Sequence, residues 1–527
     1  MRVLLINPSC AREAGRDLYS AQVLGPLFTM QLGKRMTLGI PLALPTLAAY
    51  TPPEHAVTII DEEIEEIDFD EPVDLVGITA MTFKATRAYE IAREFRARGV
   101  RVVMGGIHAT MSPDEAAEHV DCVVTGEAED LWPVILEDAA RGNLKSRYGA
   151  TGLSDMSRSL IPRYELVKNS QYLYTYLQTT RGCPHDCNFC TVTKMSGRKI
   201  RKKSPEQVVR EVDALFQLKP RRQQTVIDRP TGTKKQLVGM VALIDDNFAI
   251  DRRHALAVCR ALTRYQEERN IAIMWYTQVN YEVGFDAELL EAMSRANCQH
   301  LFIGFESLDP ETLEAMNKKF NTPKRYADAI RNIQEHGMRV IFSTIIGDDN
   351  CDKKAVTYLR NFIKENNIMH ALLNIMTPYR GTDLYESMNN AGRITTREPH
   401  RYNIRNVVFE PAKTTAGELL ELYGSLCQDL YRYDQVYQRG KRLSGIRNRL
   451  GLPLGGRILA WLGFSYVSLA LAMKGDLRWK IAGILLAAAP RHILFDESLY
   501  GLELLVTSAD YDDFAHSEAE RFRKGIV

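Results

Sequence analysis

At 527 residues the chain has room for roughly two to four domains. Lysine plus arginine (67) balances aspartate plus glutamate (66), so no global charge points to a nucleic-acid partner. Its 9 cysteines are too sparse for a disulfide scaffold, and Cys10, Cys122, Cys259, Cys298, Cys351 and Cys427 stand singly, which suits a reducing, cytoplasmic compartment.

Residues 1–145 alternate strands and helices. MRVLLINPS reads as a buried first strand with its turn, not as a secretory signal. Further strands are expected at AVTIIDEE, LVGITA, VRVVMGG and CVVTGE, with helices at ATRAYEIAREFRARG and SPDEAAEHV between them. Apolar strands separated by helices imply a mostly parallel, doubly wound sheet. Glycines and small polar residues gather near the strand ends: Gly77 and Thr79, then Gly105, Gly106 and His108, then Gly126 and Glu127. In such a sheet those ends share one rim, so the recurrence marks a ligand site, although each glycine could also serve a tight turn. No G-x-G-x-x-G follows the first strand, which argues against a nicotinamide or flavin dinucleotide.

Residues 146–175 read as a connector, and 176–400 as a second strand–helix alternation with barrel spacing. Its strands are expected at YLQTTRG, GMVALIDDNF, IMWYTQVN, HLFIGFES, RVIFSTIIG and ALLNIMTP. Functional residues of such a barrel lie just past the strand ends.

The run RGCPHDCNFC places Cys183, Cys187 and Cys190 in a C-x3-C-x2-C pattern. Three such thiolates hold three irons of a [4Fe–4S] cluster and leave the fourth iron open for chemistry. Zinc with a distant fourth ligand is the alternative, but no second cysteine pair accompanies the run.

In these residues the chain resembles the radical S-adenosylmethionine superfamily, in the class that carries a cobalamin-binding domain. The resemblance covers residues 1 to about 400 and rests on INP at 6–8, GGIHAT at 105–110, TGEAE at 125–129, TTRGCPHDCNFC at 179–190, LIDDNF at 243–248, GFES at 304–307 and TPYRGTDLY at 377–385. It implies an α/β fold: an N-terminal Rossmann-like cobalamin-binding domain, a partial (β/α)6 TIM-type barrel and a mainly helical C-terminal region. It also implies three cofactors: the cluster, S-adenosylmethionine and cobalamin. The first-domain loops would surround the corrin and its nucleotide tail. Asp245 and Asp246 are acceptors for the methionyl amine, and strand alternation leaves one of them, preferably Asp246, facing the cofactor. Glu306 would accept from a hydroxyl or amine of S-adenosylmethionine. Gly347 would let backbone approach the adenine. No D-x-H-x-x-G follows the first strand, so no lower-axial histidine is predicted, and His108 is as readily a satisfied rim histidine as a cofactor contact. A first domain kept as a scaffold, with no cobalamin, is the alternative reading.

Residues 401–527 carry less chemistry. The stretch around 418–443 reads as one helix whose Tyr423, Tyr431, Tyr433 and Tyr437 line either a packing stripe or a substrate entrance. Two apolar runs follow, at 458–473 and 481–490, too short for ordinary bilayer spans. They fit a peripheral contact at the inner face of a membrane, or a buried helical cap.

The expected activity is radical methylation of an unactivated carbon in a lipid-like or natural-product substrate, by way of cobalamin and with a one-electron donor. A radical cyclase or rearrangement enzyme, and a non-catalytic cobalamin sensor, are the alternatives.

Overall fold

The computed structural model describes residues 1–10, 37–150, 152–168, 172–217, 224–443 and 450–451. The first unit is a parallel sheet of strands β1 (Arg2–Asn7), β2 (Ala56–Asp61), β3 (Leu75–Thr79), β4 (Arg101–Gly105), β5 (Cys122–Thr125) and β6 (Arg147–Gly149), in the order β2-β1-β3-β4-β5-β6. The last of these is an edge strand that the sequence reading had assigned to the connector.

Strand alternation sends residues to opposite faces. Leu4, Ile6, Val76, Ile78, Val102 and Met104 join helix α1 (Ala85–Ala97), which buries Ala88, Ile91, Ala92 and Phe95 at helical spacing. Val3, Leu5, Leu75, Val103 and Val124 face the other way, onto Trp132, Ile135 and Leu136 of helix α2 (Trp132–Ala140). That second core runs without a break into the barrel, so the two units share one apolar interior.

The barrel strands are β7 (Tyr172–Leu177), β9 (Thr233–Leu243), β10 (Ile271–Val279), β11 (Cys298–Glu306), β12 (Arg339–Ile346) and β13 (His370–Ile375), parallel and in that spatial order. An added strand, β8 (Gln224–Asp228), makes an antiparallel hairpin with the start of β9. The sequence reading had begun β9 later and missed β8. Aspartate caps fix the helices that cover the barrel: Asp251, Asp286 and Asp352 each accept a backbone N–H three residues on.

The C-terminal region starts with helix α3 (Ala416–Leu430), opened by a Thr415–Glu418 capping box. The expected single helix divides at Tyr431, and α4 (Tyr433–Leu443) follows. Tyr431 is anchored to β13: its hydroxyl accepts from Ala371 N–H at 2.9 Å and donates to the Ala371 carbonyl. Tyr423 donates to the Leu373 carbonyl at 3.2 Å, so both tyrosines pack rather than line an entrance. The side chains of Tyr433 and Tyr437, and the apolar runs at 458–473 and 481–490, lie outside the described residues. Among the described residues no helix is long and apolar enough to cross a membrane.

Candidate functional site

The cysteine loop leaves β7 through a short strand, Thr180–Arg181, which pairs with Arg201–Lys202 and closes the loop. Gly182 sits at φ +96°, and a Cβ there would lie 2.5 Å from the Lys199 carbonyl, so only glycine makes this turn. Cys183 N–H donates to the Gly197 carbonyl (3.1 Å) and Cys190 N–H to the Cys187 carbonyl (3.1 Å). All three thiols are free and partly exposed. Burial pushes the Cys187 and Cys190 thiols up to about 12 and about 11, with the Lys318 ammonium pulling both down. The loop is held from its far side too: the His185 ring stacks on Phe320 at 3.7 Å between centroids, and Asn188 N–H donates to the Met316 carbonyl (3.2 Å). Among the described residues no three His, Cys, Asp or Glu side chains converge on a point for a single metal ion. A four-iron cluster does not ask for that, because each thiolate binds a different iron.

At the end of β9 the two adjacent carboxylates part ways. Asp245 is fully buried and saturated: Thr179 N–H donates to Oδ1 at 2.6 Å, and the Thr179 and Thr180 hydroxyls donate to Oδ2. Burial raises its carboxyl to about 6 despite those bonds. Asp246 accepts one bond, from Gly182 N–H (2.7 Å), and its Oδ1 has no hydrogen bond among the described residues. Asn247, next in the chain, is buried with both amide atoms unpartnered.

At the end of β11 the backbone is bent to aim one acid. The β11–β12 register shifts between Gly304 and Glu306, and Glu306 takes φ +61°, a left-handed conformation rare outside glycine and asparagine. The side chain folds back over Gly304, where a Cβ would lie 2.3 Å from Glu306 Oε1, which explains the glycine of GFES. Buried Lys318 donates to Oε1 at 2.8 Å, while Oε2 has no hydrogen bond among the described residues. Lys318 also lies 5.9 Å from the centre of the Phe189 ring, inside the cysteine loop. Gly347 has a packing reason of its own to be glycine. At φ +97° its Cβ direction is filled by Leu419 of α3, 2.7 Å away, so packing of the C-terminal helix demands glycine there.

On the first sheet, the loops after β3, β4 and β5 are stitched together. A Cβ on Gly106 (φ +88°) would lie 2.6 Å from Thr79 Oγ1. The Thr110 hydroxyl donates to the Gly106 carbonyl (2.9 Å) and accepts from Gly126 N–H (3.0 Å). Thr79, Gly105, Gly106 and Gly126 are thus brought together at the carboxyl rim. Gly77 is not among them: it lies within β3, under Leu5 and Trp132. His108 is buried, with Nε2 2.6 Å from the Tyr89 hydroxyl and 3.6 Å from Glu115, and its Nδ1 has no hydrogen-bond partner among the described residues.

Glu127 is committed elsewhere. Arg201 meets its two oxygens at 2.6 Å each, and Ser154 N–H donates to Oε2 at 2.8 Å. Burial pushes this carboxyl up, but Arg201 and Arg181 outweigh it and hold it below the usual range. Glu129 pairs with Arg181 at 2.5 Å. The rim of the first sheet therefore touches the cysteine loop directly. Arg380 from the TPYRGTDLY segment also joins the two units, pairing with Glu115.

Residues 177–354 match the radical SAM superfamily, and residues 34–136 match the B12 binding domain. The bacteriochlorophyllide d C-8(2)-methyltransferase of Chlorobaculum tepidum is 30% identical over 380 residues, 70% of this chain and 80% of that protein. The chain belongs to the cobalamin-dependent radical S-adenosylmethionine enzymes. The hopanoid C-2 methylase of Rhodopseudomonas palustris is 27% identical, over 69% of this chain and 67% of its own. Two solved structures share the fold: the cobalamin- and cluster-bound methyltransferase TsrM of Kitasatospora setae (TM-score 0.56, 16% identity, 75% of this chain and 76% of that one) and OxsB with aqua-cobalamin and S-adenosylmethionine (0.61, 13%, 100% and 81%). As a member of this family, the radical enzyme takes a [4Fe–4S] cluster, S-adenosylmethionine and cobalamin as cofactors.

Sequence reasoning did not single out Lys318, Asn247, Glu129, Arg181 or Arg201. Asn247 stands inside the quoted LIDDNF motif, where its amide was open to notice. Glu129 and Arg181 likewise stand inside the quoted TGEAE and TTRGCPHDCNFC runs, whereas Lys318 and Arg201 are charged residues whose burial depends on partners elsewhere in the chain, and no local pattern marks them.

Proposed function

We propose that this enzyme transfers a methyl group from S-adenosylmethionine to an unactivated carbon of an apolar, polycyclic lipid-like or natural-product substrate. The observation that carries the reading is the direct contact of the two rims, which brings a corrin-type loop set and a cluster loop to one place. The relatives support the substrate class, since one is named for a bacteriochlorophyllide and another for a hopanoid.

The donor set fits the cofactors. Three free thiols on one ordered loop suit three cluster irons. An orphaned buried amide and two carboxylate oxygens without partners suit a zwitterionic, hydroxyl-bearing ligand. Glycine backbone packed against Thr79 leaves a rim that a large flat ring system can approach. When bound, these groups supply a 5′-deoxyadenosyl radical and a transferable methyl group.

The chain's own residues then have the following tasks. Cys183, Cys187 and Cys190 hold the cluster. Asp246 and Asn247 orient the amine of S-adenosylmethionine. Glu306, held by Lys318 through Oε1, accepts from S-adenosylmethionine through Oε2. Asp245 ties the strand before the cysteine loop to the end of β9. The backbone at Gly105, Gly106 and Gly126 would border the corrin, and His108, buried with Nε2 against Tyr89, would serve the packing of this loop rather than bind the cofactor. Peripheral contact at the inner face of a membrane belongs to the same reading, supported by the uncharged run at 458–473 between Arg457 and Lys474. Flotation of the intact protein with anionic and neutral liposomes tests it, and protein left in the pellet with both rejects it.

The deciding experiment is an anaerobic reaction of holoenzyme with methyl-deuterated S-adenosylmethionine, a reductant, and a hopanoid, bacteriochlorophyllide d or lipid extract. The expected result is deoxyadenosine, S-adenosylhomocysteine and a product carrying the labelled methyl. Deoxyadenosine with an isomerised, unlabelled product would reassign the enzyme as a cyclase or rearrangement catalyst.

A further inference from the structure

Four buried charges lie where the first sheet meets the barrel. Glu127 and Glu129 belong to the loop after β5. Arg181 immediately precedes Gly182 and Cys183, and Arg201 stands on the strand that closes the cysteine loop. Side-chain exposure is 7% for Glu127, 10% for Arg201, 11% for Glu129 and 19% for Arg181. Both terminal nitrogens of Arg201 donate twice: beyond the two bonds to Glu127, Nη1 donates to the Ser154 carbonyl (2.7 Å) and Nη2 to the Ser196 carbonyl (2.9 Å), while Nε has no partner among the described residues. One guanidinium thus joins the loop after β5, the segment leading to the barrel and the far side of the cysteine loop.

Such a network is a poor way to hold two units together. Desolvating four charges offsets most of their mutual attraction, and an apolar patch of the same size would bind as well. These two units already share a continuous apolar core. What buried charges add is geometry: a bidentate guanidinium–carboxylate pair fixes both distance and angle, which greasy contacts do not. The link also reaches the site through the backbone, because Gly182, between Arg181 and Cys183, is the residue whose N–H donates to Asp246.

We propose that Glu127–Arg201 and Glu129–Arg181 form a positioning clamp that sets the separation of the corrin from the cluster and the radical formed beside it. The proposal rests on the reading that both cofactors act on one substrate carbon. None of the four residues touches a reacting atom. They act through the two loops they join, and a misplacement of about 1 Å in such a site is worth on the order of 100-fold in rate.

The test uses full-length holoenzyme and Glu127→Gln, which keeps the shape and removes the charge. The first readout is the distance distribution between cob(II)alamin and the reduced cluster by pulsed paramagnetic resonance, with S-adenosylmethionine bound and no substrate. The second is labelled methyl placed in a hopanoid or bacteriochlorophyllide d probe per deoxyadenosine formed. We expect iron and corrin contents as in wild type, deoxyadenosine formation within about twofold, a broadened or shifted distance, and roughly tenfold or more loss of methyl per deoxyadenosine. A wild-type distance distribution would overturn the clamp. If Glu127→Gln loses its corrin, Glu129→Gln, which spares the Arg201 bonds to Ser154 and Ser196, takes its place with the same readouts and the same criterion. Should the wild-type enzyme methylate no probe, the methyl-transfer reading fails on its own, while the distance still decides the clamp.

Discussion

The barrel rim and the rim of the first sheet differ in what their polar side chains are doing. On the barrel, Asp246, Asn247 and Glu306 retain atoms without partners, and the backbone around Glu306 is bulged and left-handed to aim it. On the first sheet, two of the residues with the most suggestive chemistry are saturated, Glu127 by Arg201 and Ser154 and Thr110 by Gly106 and Gly126, while His108 engages Tyr89 through Nε2 and keeps a buried Nδ1 without a partner among the described residues. In the proposed reading the barrel would grip a small charged ligand through a few functional groups. The first sheet would offer backbone and shape to a large ring. Strain sits where a side chain must be aimed, in keeping with the general tendency of functional sites to hold it.

The comparison breaks most sharply at the cysteines. Cys187→Ala should lose most of its iron and reduce deoxyadenosine formation at least about 100-fold, while corrin content stays at the wild-type level, because the corrin border lies on the other rim. Iron analysis and the corrin absorption spectrum of one sample measure both. Full cluster content in this variant would refute the ligand assignment.

A smaller effect is expected from Glu306→Gln. Losing a charge-assisted acceptor corresponds to about 1.5–3 kcal/mol, or roughly 10- to 100-fold in S-adenosylmethionine affinity. Iron content should hold, and thermal stability should fall because buried Lys318 loses its counter-charge. Equilibrium binding of S-adenosylmethionine to the cluster-loaded variant gives the answer.

On the first sheet, Gly106→Ala places a Cβ 2.6 Å from Thr79 Oγ1 at φ +88°. The strain is about 1–3 kcal/mol, and it should appear as weaker corrin binding with S-adenosylmethionine affinity unchanged. The smallest effect belongs to His108→Ala. Loss of its hydrogen bond should cost about 1–2 kcal/mol of stability without changing corrin content or the cob(II)alamin resonance spectrum. Loss of nitrogen hyperfine structure in that variant would show His108 to be an axial ligand and end the contrast drawn above.

The fold class and the cysteine motif were legible because both depend on local spacing: alternation of strand and helix, and three thiols within one turn-rich loop. Position within an element was harder to read. Gly77 and Thr79 stand two residues apart on one strand, yet one packs under Trp132 and the other borders the rim. Gly347 carries the signature of a ligand-approach glycine, but Leu419, more than seventy residues on, fills the space. The hairpin strand β8 was hidden in the polar stretch RRQQTVIDRPTGTKK, where no period stands out. The helix break at Tyr431 arises from a tertiary anchor to Ala371 rather than from a glycine or proline. The buried cations escaped for a common physical reason. Lys318 in NKKF and Arg201 in KIRKK look like solvated charge runs, and only a partner brought by the fold makes their burial affordable.

In this reading the two rims hold different cofactors by different means. This is tested most directly by measuring S-adenosylmethionine affinity and corrin affinity side by side in Glu306→Gln and Gly106→Ala. A crossed result is expected: Glu306→Gln loses S-adenosylmethionine and keeps corrin, and Gly106→Ala loses corrin and keeps S-adenosylmethionine. Parallel loss of both ligands in either variant, or corrin loss in Glu306→Gln alone, would contradict it.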